Sequence, residues 1–213
     1  MTEPGLCLYD AAVIAAILTG GRARRFHGRD KSRLVIDGRP ILERQLELVG
    51  PVVSDILIVT SEARAASFAG TRMAAGAPPV HVAVDRYPDS GPLGAILTAL
   101  ESTSADAVFV IAGDMPDVTR RLVEALAALH GEPGSPAATV PVSARGLEPL
   151  CAIYGRAAEA PLRAAFDAGR LSLQAVLADL EPRVLPLDAV ARAGDPETLF
   201  RNINSPGDLN VSR

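Results

Sequence analysis

The sequence contains few of the residues on which disulfide-rich domains and zinc modules depend. Among its 213 residues there are two cysteines, three histidines and no tryptophan. Cys7 and Cys151 form no C-x-x-C pair and lie far from any histidine cluster, which argues against a zinc site. A single disulfide is one interpretation of the pair, and a reducing compartment explains so low a count equally well. We therefore expect a cytoplasmic protein that needs no covalent staple.

Aromatic residues are also scarce, at 4% of the chain, whereas hydrophobic residues make up 48% and charged residues 22%. The core must consequently be built mainly from alanine, leucine and valine. A globular domain of this size can bury roughly 70% of the surface that its unfolded chain would expose. We predict one domain over residues 12–213, preceded by a flexible N-terminal extension over residues 1–11.

Two further absences restrict the partners of the chain. No apolar run reaches the roughly 18 residues of a membrane span, and the N-terminus M-T-E-P-G lacks the basic region of a signal peptide. The formal net charge is −4, which disfavours a general nucleic-acid-binding protein. We therefore expect neither a membrane nor a nucleic acid as a partner.

Positive charge is nevertheless concentrated in one segment near the N-terminus. The basic residues that fall within it are Arg22, Arg24, Arg25, Arg29, Lys31 and Arg33. An acidic protein with a single basic segment suits a small anionic ligand better than a charged polymer. The composition therefore favours a phosphate-bearing small molecule as the ligand.

Apolar segments alternate with amphipathic ones along the first 130 residues. We predict buried strands over residues 12–19, 55–60, 80–84 and 107–112, and helices over residues 40–49, 62–75, 92–100 and 118–129. Further strands are predicted near residues 137–142, 148–154 and 183–187, and helices near 156–168 and 172–179. This alternation is typical of an α/β protein with a doubly wound, mostly parallel sheet.

Glycine or polar residues follow the first four of these strands at the point where each strand ends. They are Gly20-Gly21, Thr60-Ser61, Asp85 and Gly113-Asp114. Ligands of doubly wound sheets bind outside the carboxyl ends of the strands. Four separate segments are therefore expected to contribute to one binding site.

The segment from Leu18 to Lys31 reads L-T-G-G-R-A-R-R-F-H-G-R-D-K. It is not a P-loop, because no G-K-[S/T] follows Gly28, and it is not the dinucleotide-binding G-x-G-x-x-G. Adjacent glycines let the backbone approach a base or phosphate closely, and the basic side chains can offset the charge of a departing pyrophosphate. A solvated basic turn explains the composition equally well, so the segment alone leaves both interpretations open.

Asp114 also has two interpretations when it is considered by itself. A carboxylate after a buried strand is often the N-cap of the next helix, although Asp117 could be that cap instead. A carboxylate can also hold Mg²⁺, which takes one or two of them and completes its shell with water and phosphate oxygens.

Taken together, the motifs resemble those of the molybdenum cofactor guanylyltransferases, the molybdopterin-guanine dinucleotide biosynthesis protein A family of the nucleotidyltransferase superfamily. The first motif is L-x-G-G-x-x-x-R-x-x-G-x-D-K, and the later ones are Asp85 to Ile96, Val110 to Pro116, Glu148 to Tyr154 and Phe200 to Leu209. These motifs occur in family order over nearly the whole chain. Thr19 replaces the usual Ala, and Phe26-His27 replaces the usual Met-Gly, which bears on the loop path rather than on the family.

The resemblance implies a Rossmann-like, three-layer α/β/α nucleotidyltransferase fold and a specific reaction. GMP would be transferred from GTP to the phosphate of molybdenum-molybdopterin, with Mg²⁺ as cofactor and pyrophosphate as the second product. Molybdenum-insertion proteins or molybdoenzyme chaperones would be candidate protein partners. Two alternatives within the superfamily are a CMP-transferring sister enzyme and a sugar-phosphate nucleotidyltransferase. An alternative of another class is a non-catalytic nucleotide sensor or chaperone of the cofactor.

The resemblance also implies a role for each residue that matches a family motif. Lys31, Asp114 and Arg25 would be catalytic, and Asp114 would hold the metal. The residues expected to bind GTP are Leu18, Thr19, Gly20, Gly21, Lys31, Thr60, Asp85, Gly91 and Asp114, with Val59 as the alternative to Thr60. Asp85 would accept hydrogen bonds from the N–H groups of guanine. Asn202 and Asn204 would lie on the acceptor side.

Overall fold

A mostly parallel sheet forms the centre of the computed structural model, which describes residues 13–20, 31–203 and 208. The strands are β1 (Val13–Leu18), β2 (Val35–Ile36), β3 (Arg39–Pro40), β4 (Ile56–Thr60), β5 (Val80–Val84), β6 (Ala107–Ala112), β7 (Ala138–Ser143), β8 (Gly146–Leu147), β9 (Cys151–Gly155) and β10 (Arg183–Leu185). The order across the large sheet is β5-β4-β1-β6-β9-β7-β10, with β8 paired to β7. Strands β5, β4, β1 and β6 are parallel neighbours, and β9 is antiparallel to β6 and β7. The predicted α/β class with a mostly parallel sheet is confirmed.

Helices cover both faces of this sheet. They are α1 (Ile41–Val49), α2 (Glu62–Phe68), α3 (Gly91–Glu101), α4 (Arg120–His130), α5 (Glu159–Asp167), α6 (Leu173–Asp179), α7 (Leu187–Ala193) and α8 (Pro196–Leu199). Alternate residues of β1 contribute to two apolar cores, with Ala15 and Ile17 on one face and Ile14 and Ala16 on the other. Helices α1, α4 and α7 pack on the first face, and α3, α5 and α6 on the second. Because both faces are covered, β1 and β6 are buried along their whole length, as continuous apolar runs predict.

Several elements differ from the sequence-based expectation. The predicted helix over residues 62–75 ends at Phe68, since the chain turns away through Gly70, which adopts a left-handed φ of +86°. The hairpin of β2 and β3 occupies a segment for which no strand was predicted. Helix α7 follows directly after Pro186, where a strand was expected to continue.

Helix α4 begins with a cap that the sequence did not single out. Thr119 is its N-cap and accepts a hydrogen bond from Leu122 N, so neither Asp114 nor Asp117 caps this helix. The Asp117 carboxylate instead accepts a hydrogen bond from Arg201 Nε at 2.8 Å. The helix-cap interpretation of Asp114 is therefore wrong.

The ends of the chain add little to this description. The predicted N-terminal extension over residues 1–11 lies outside the described residues, so it stays a prediction. Within the ranges that the structure does describe, there is no helix both long enough and apolar enough to cross a bilayer.

His130, at the end of α4, makes the stability of the fold depend on pH. Its Nδ1 lies 2.9 Å from the hydroxyl oxygen of Thr139 in β7. Burial, and after it the charge of Arg183, lowers the pKa of His130 below its ordinary value of 6.5. Unfolding restores that ordinary value, so the unfolded chain binds more protons than the folded chain as the pH falls through this range. The free energy of unfolding should then be highest above pH 6.5 and decrease below it, down to the pKa of the folded state.

His130→Gln should weaken this dependence, because the amide can still bond to Thr139 but does not titrate. Urea denaturation at about pH 7.5 and about pH 5.5 would measure the loss of stability for each protein. Arg183→Met, which removes the smaller cause, should give an intermediate loss. An equal loss in wild type and His130→Gln would contradict this account of His130.

Candidate active site

A cleft of about 880 Å³ lies at the carboxyl ends of β1, β4, β5 and β6. Its lining includes Gly20 after β1, Ser61 after β4, Asp85 after β5 and Asp114 after β6. The parallel strands therefore bring four distant segments to one edge of the sheet, where such folds bind their ligands.

The ends of β1 and β6 approach each other closely in this cleft. Gly113 N donates a hydrogen bond of 2.9 Å to Leu18 O. A Cβ atom at position 113 would lie 3.0 Å from that carbonyl oxygen and 3.3 Å from the Cβ of Ser32. Glycine thus permits the close approach that places Asp114 beside the Leu18–Gly20 segment.

Lys31 and Asp114 form an ion pair in the wall of the cleft. Lys31 Nζ lies 3.0 Å from Asp114 Oδ2, and the two side chains retain 25% and 21% of their exposure. Lys31 is also the only lysine in the sequence, where arginine is otherwise used for strongly basic positions. An ammonium group can bind phosphate oxygens as a compact point charge, and a carboxylate can hold a hard metal ion. This pair therefore combines a group that can bind phosphate with a group that can hold a metal ion.

Gln45 of α1 supports the turn that carries Asp114. Its Nε2 donates to Ala112 O at 2.8 Å and to Met115 O at 3.0 Å, and the residue is only 1% exposed. From the other side, Ile203 N donates to Asp114 O at 3.0 Å. The Gly113-Asp114 turn is therefore fixed by hydrogen bonds from two distant segments of the chain.

Gln45→Met should lower the free energy of unfolding by about 1–2 kcal/mol, because two buried carbonyl groups lose their donor. The lower part of the usual range is expected, since Gln45 Oε1 is buried without a hydrogen-bond partner in the described part of the chain and is removed as well. Chemical denaturation would measure the change. Gln174→Met is the matched control, because this exposed amide also donates to a carbonyl group, Leu147 O. The control should change stability by less than about 0.5 kcal/mol, and equal losses in the two variants would contradict a supporting role for Gln45.

Asp85 follows β5 and faces the cleft from another side. Its Oδ1 accepts hydrogen bonds from Tyr87 N at 2.9 Å and from the Thr98 hydroxyl at 3.2 Å. Its backbone N–H donates to Thr60 O at 2.7 Å, which ties the turn to the end of β4. The structure thus presents a positioned carboxylate, which is a suitable acceptor for the N–H groups of a base.

Gly91 lies where the loop after Asp85 turns into α3. Its φ of +65° is in the left-handed region, and Pro92 follows at the start of the helix. Both residues line the cleft, so the N-terminus of α3 and the positive end of its dipole lie at the cleft.

The end of β4 contributes to the cleft through residues other than the predicted one. Thr60 is fully buried and is not part of the cleft lining, and Val59 is 1% exposed. The lining comes instead from Ser61, Glu62 and Arg64. The structure therefore does not bring the predicted Thr60 side chain into the site. Ser61 was among the residues expected at this strand end, and the start of a helix directly after a buried parallel strand was the signal that could have identified Glu62 and Arg64.

Arg64 supplies a cationic group to which the sequence motifs assigned no role. Its Nη1 donates to Thr19 O at 3.2 Å, which places the guanidinium beside Gly20. Thr19 itself is 7% exposed, and its hydroxyl donates to Val59 O at 3.1 Å. The Thr19 side chain is thus used within the fold, while its backbone lies at the cleft.

The C-terminal motif runs beside Asp114. Asn202 precedes Ile203, whose N–H donates a hydrogen bond to Asp114 O. Asn202 itself is not among the described residues that line the cleft. Its Oδ1 is buried and meets no hydrogen-bond partner among residues 13–20, 31–203 and 208. The other predicted site residues, Gly21, Arg25 and Asn204, lie outside the described residues.

Cys151 and Tyr154 of β9 are core residues. Burial, and after it the charge of Glu148, raises the pKa of the Cys151 thiol, so the thiolate needed for nucleophilic chemistry is disfavoured. Burial also raises the pKa of Tyr154, whose hydroxyl donates to Pro149 O at 2.9 Å. The chemistry of the site must therefore come from the cleft.

Known proteins are similar to this chain in both sequence and architecture. The family model of the MobA-like NTP transferase domain matches residues 15–184. A probable molybdenum cofactor guanylyltransferase of Chloroflexus aggregans is 36% identical over 92% of this chain and 90% of its own length. The molybdenum cofactor guanylyltransferase of Cereibacter sphaeroides is 35% identical over 91% of each chain.

Solved structures are also similar to this chain. The molybdopterin-guanine dinucleotide biosynthesis protein A of Archaeoglobus fulgidus superposes with a TM-score of 0.73 at 27% identity, over 92% of this chain and 94% of that one. A CMP:2-keto-3-deoxy-manno-octonic acid synthetase complexed with CTP shares the fold, with a TM-score of 0.65 at 13% identity over 93% and 95% of the two chains. The chain therefore belongs to the molybdenum cofactor guanylyltransferase family, whose MobA-like NTP transferase domain it carries, and it is a nucleotidyltransferase.

Proposed function

We propose that the chain transfers GMP from GTP to the terminal phosphate of molybdopterin that carries molybdenum. An oxygen of that phosphate attacks the α-phosphorus of GTP and forms the new P–O bond. The bond from the α-phosphorus to the oxygen that bridges to the β-phosphorus breaks, and pyrophosphate leaves with the electron pair. The products are molybdopterin guanine dinucleotide and pyrophosphate.

This reaction requires little acid–base catalysis by the protein. A phosphate monoester has its second pKa near 6, so the attacking oxygen is already ionised near neutral pH. The protein must instead align two anions and offset their mutual repulsion. Lys31 and Arg64 are the described cationic residues of the cleft that suit this task.

The Lys31–Asp114 pair is the observation that carries the proposal. It lines the same cleft as Asp85, which supports a single site for the phosphates and the base. A binding module for an uncharged ligand would have no need of a half-buried ammonium beside a carboxylate. The names of the relatives support guanine as the base and the molybdenum cofactor as the acceptor.

The residues present fit Mg²⁺ as the cofactor. Within the described residues no group of three or more His, Cys, Asp or Glu side chains could hold a metal unaided. Asp114 offers one carboxylate in the cleft, and Mg²⁺ is commonly held by one or two carboxylates together with phosphate oxygens and water. Asp114 would hold the ion, which when bound neutralises charge on the triphosphate and on the leaving pyrophosphate.

A pyrophosphate-release assay with Mg²⁺ and molybdenum-molybdopterin tests the proposal against its alternatives. We expect release with GTP and little release with CTP. The reverse preference would favour the CMP-transferring alternative. Release of pyrophosphate only when a sugar phosphate is the acceptor would favour a sugar-phosphate nucleotidyltransferase. Nucleotide binding without any release of pyrophosphate would favour the non-catalytic sensor or chaperone.

The same family relationship supports two further expectations. Molybdenum-insertion proteins and molybdoenzyme chaperones are candidate partners, since they supply or receive the modified cofactor. A cytoplasmic location is the second expectation. Copurification from the native cell extract, followed by fractionation, would test both.

A further inference from the structure

We propose that Thr98 is a specificity-determining residue, whose hydroxyl fixes the Asp85 carboxylate so that Oδ2 remains to recognise the nucleotide base. The inference rests on the proposed function, because it takes the ligand of Asp85 to be a nucleotide. Thr98 is a positioning residue in this role, since it acts on the ligand only through Asp85.

The hydroxyl of Thr98 is fully used by the turn that carries Asp85. Thr98 lies on α3 and is fully buried. Its Oγ1 accepts a hydrogen bond from Arg86 N at 3.0 Å and donates one to Asp85 Oδ1 at 3.2 Å. A threonine hydroxyl has a single donor, so its proton is committed to the carboxylate.

The two oxygens of Asp85 consequently have different surroundings. Oδ1 accepts from both Thr98 and Tyr87 N, whereas no group in the described ranges donates to Oδ2. Asp85 lines the cleft, so Oδ2 is the oxygen left for a ligand. A carboxylate held in one rotamer offers that oxygen at a fixed position, which is how a polar site discriminates between bases that differ in their N–H groups.

The rest of the Asp85 turn is braced against the same face of α3. A Cβ at Gly94 would lie 2.7 Å from Tyr87 Cβ, so the turn packs directly on the helix at that position. The Tyr87 hydroxyl donates to Glu101 Oε2 at 2.8 Å. Gly94, Thr98 and Glu101 follow at intervals of four and three residues, which places them on one face of α3. One helix face therefore holds both the backbone of the turn and its carboxylate.

The guanidinium of Arg163 completes this brace from α5. It lies 4.5 Å from the centroid of the Tyr87 ring and also hydrogen-bonds to Glu101. This packing holds Tyr87, whose backbone N–H is the second donor to Asp85 Oδ1. A side-chain substitution cannot remove that N–H, so the Thr98 hydroxyl is the donor that a single small substitution can remove. The valine side chain is close in shape to threonine but has no hydroxyl.

Thr98→Val should therefore loosen the carboxylate without disturbing the phosphate side of the cleft. We expect the affinity for GTP to fall by about tenfold, the factor that corresponds to one lost hydrogen bond to a charged group. The preference for GTP over ITP, which lacks the 2-amino group of guanine, should fall towards equality. The turnover rate at saturating GTP should stay within about twofold of wild type, because no phosphate contact is altered.

Calorimetric titration with GTP and ITP in the presence of Mg²⁺ would test this in the full chain. Thr98→Ser should restore the wild-type affinity and preference, and Thr98→Ala should show the same loss as Thr98→Val without the added methyl group. Asp85→Ala is the reference for complete loss of the preference. Thermal unfolding of each variant would establish that it is folded.

Two results would overturn the inference. The first is a wild-type GTP preference in Thr98→Val and Thr98→Ala when Asp85→Ala has lost it, which would make Thr98 merely structural. The second is an unchanged preference in Asp85→Ala. The proposed function fails separately, if wild type binds GTP but releases no pyrophosphate, or if it binds CTP more tightly than GTP. In the latter case Thr98→Val must lose the CTP preference for the inference to stand.

Discussion

Asp114→Asn is expected to lower the rate of pyrophosphate release by at least about 100-fold while the fold stays intact. Asparagine keeps the size of the side chain but removes the negative charge that would hold Mg²⁺ on the triphosphate. The ion pair with Lys31 retains 25% and 21% of its side-chain exposure, so water can reach the ammonium in the cleft and the free energy of unfolding should change by less than about 2 kcal/mol. Steady-state assays at saturating GTP, together with urea denaturation, would measure the two effects.

The same substitution at a different ion pair provides the control for Asp114. Asp188 pairs with Arg192 on the exposed surface of α7 at 2.8 Å, away from the cleft lining. Asp188→Asn should leave turnover at the wild-type level. Near-normal turnover in Asp114→Asn would remove Asp114 from the catalytic set, and a large loss in Asp188→Asn would show that the assay responds to surface charge in general.

Lys31→Met should reduce turnover by about 100-fold as well, and it should also weaken nucleotide binding. Methionine keeps an unbranched stem of four heavy atoms and removes the ammonium that would contact the phosphates. Lys31→Arg should recover part of the affinity but little of the rate, because a planar guanidinium does not occupy the position of a compact ammonium. Turnover and calorimetric affinity, measured for all three proteins, would separate these contributions.

The absence of any other lysine allows a second test of Lys31 without a substitution. Lys31 and the α-amino group are the only aliphatic amines that an acylating reagent can modify, so the mass of a peptide containing Lys31, with the acyl group located on that side chain, reports the accessibility of this one ammonium. Mg²⁺ and GTP together should protect Lys31 from acylation, and Mg²⁺ with an uncharged nucleoside should not. Equal labelling with and without GTP would contradict a phosphate contact at this residue.

The strands that build the site could be predicted from the sequence because their environment is extreme. Strands β1 and β6 are buried on both faces, and only continuous apolar runs satisfy such positions. The residues that follow them, Gly20 and Asp114, were then expected at one edge because of the geometry of parallel strands. Here local sequence and tertiary structure impose the same requirement.

Elements that depend on distant contacts were missed. Helix α7 begins after Pro186 and is held by a hydrogen bond from the Thr119 hydroxyl to Ala193 O, 74 positions apart in the chain. Strands β2 and β3 contain two residues each, too few for a periodic pattern. The cluster of Ile36, Ile41 and Ile203, which joins this hairpin to the C-terminal motif, has no local signal at all.

The same reason explains which site residues were overlooked. Gln45 is a polar residue in an amphipathic helix, where such residues are usually on the surface, yet it is buried because two carbonyl groups of the Asp114 turn accept its protons. Thr60 was placed at the end of the correct strand, but the alternation of side chains directs it into the core. A sequence identifies which strand ends form the site more reliably than which side chains there face the ligand.

Transfer of label from GTP to the pterin is the measurement that tests the central claim most directly. The purified chain would be incubated with Mg²⁺, molybdenum-molybdopterin and GTP labelled either at the α-phosphorus or at the γ-phosphorus. We predict that the α-label appears in a guanine dinucleotide product and that the γ-label appears only in pyrophosphate, with Asp114→Asn forming neither product. Label in the pterin from the γ-position, or none from the α-position under conditions in which GTP binds, would contradict the account.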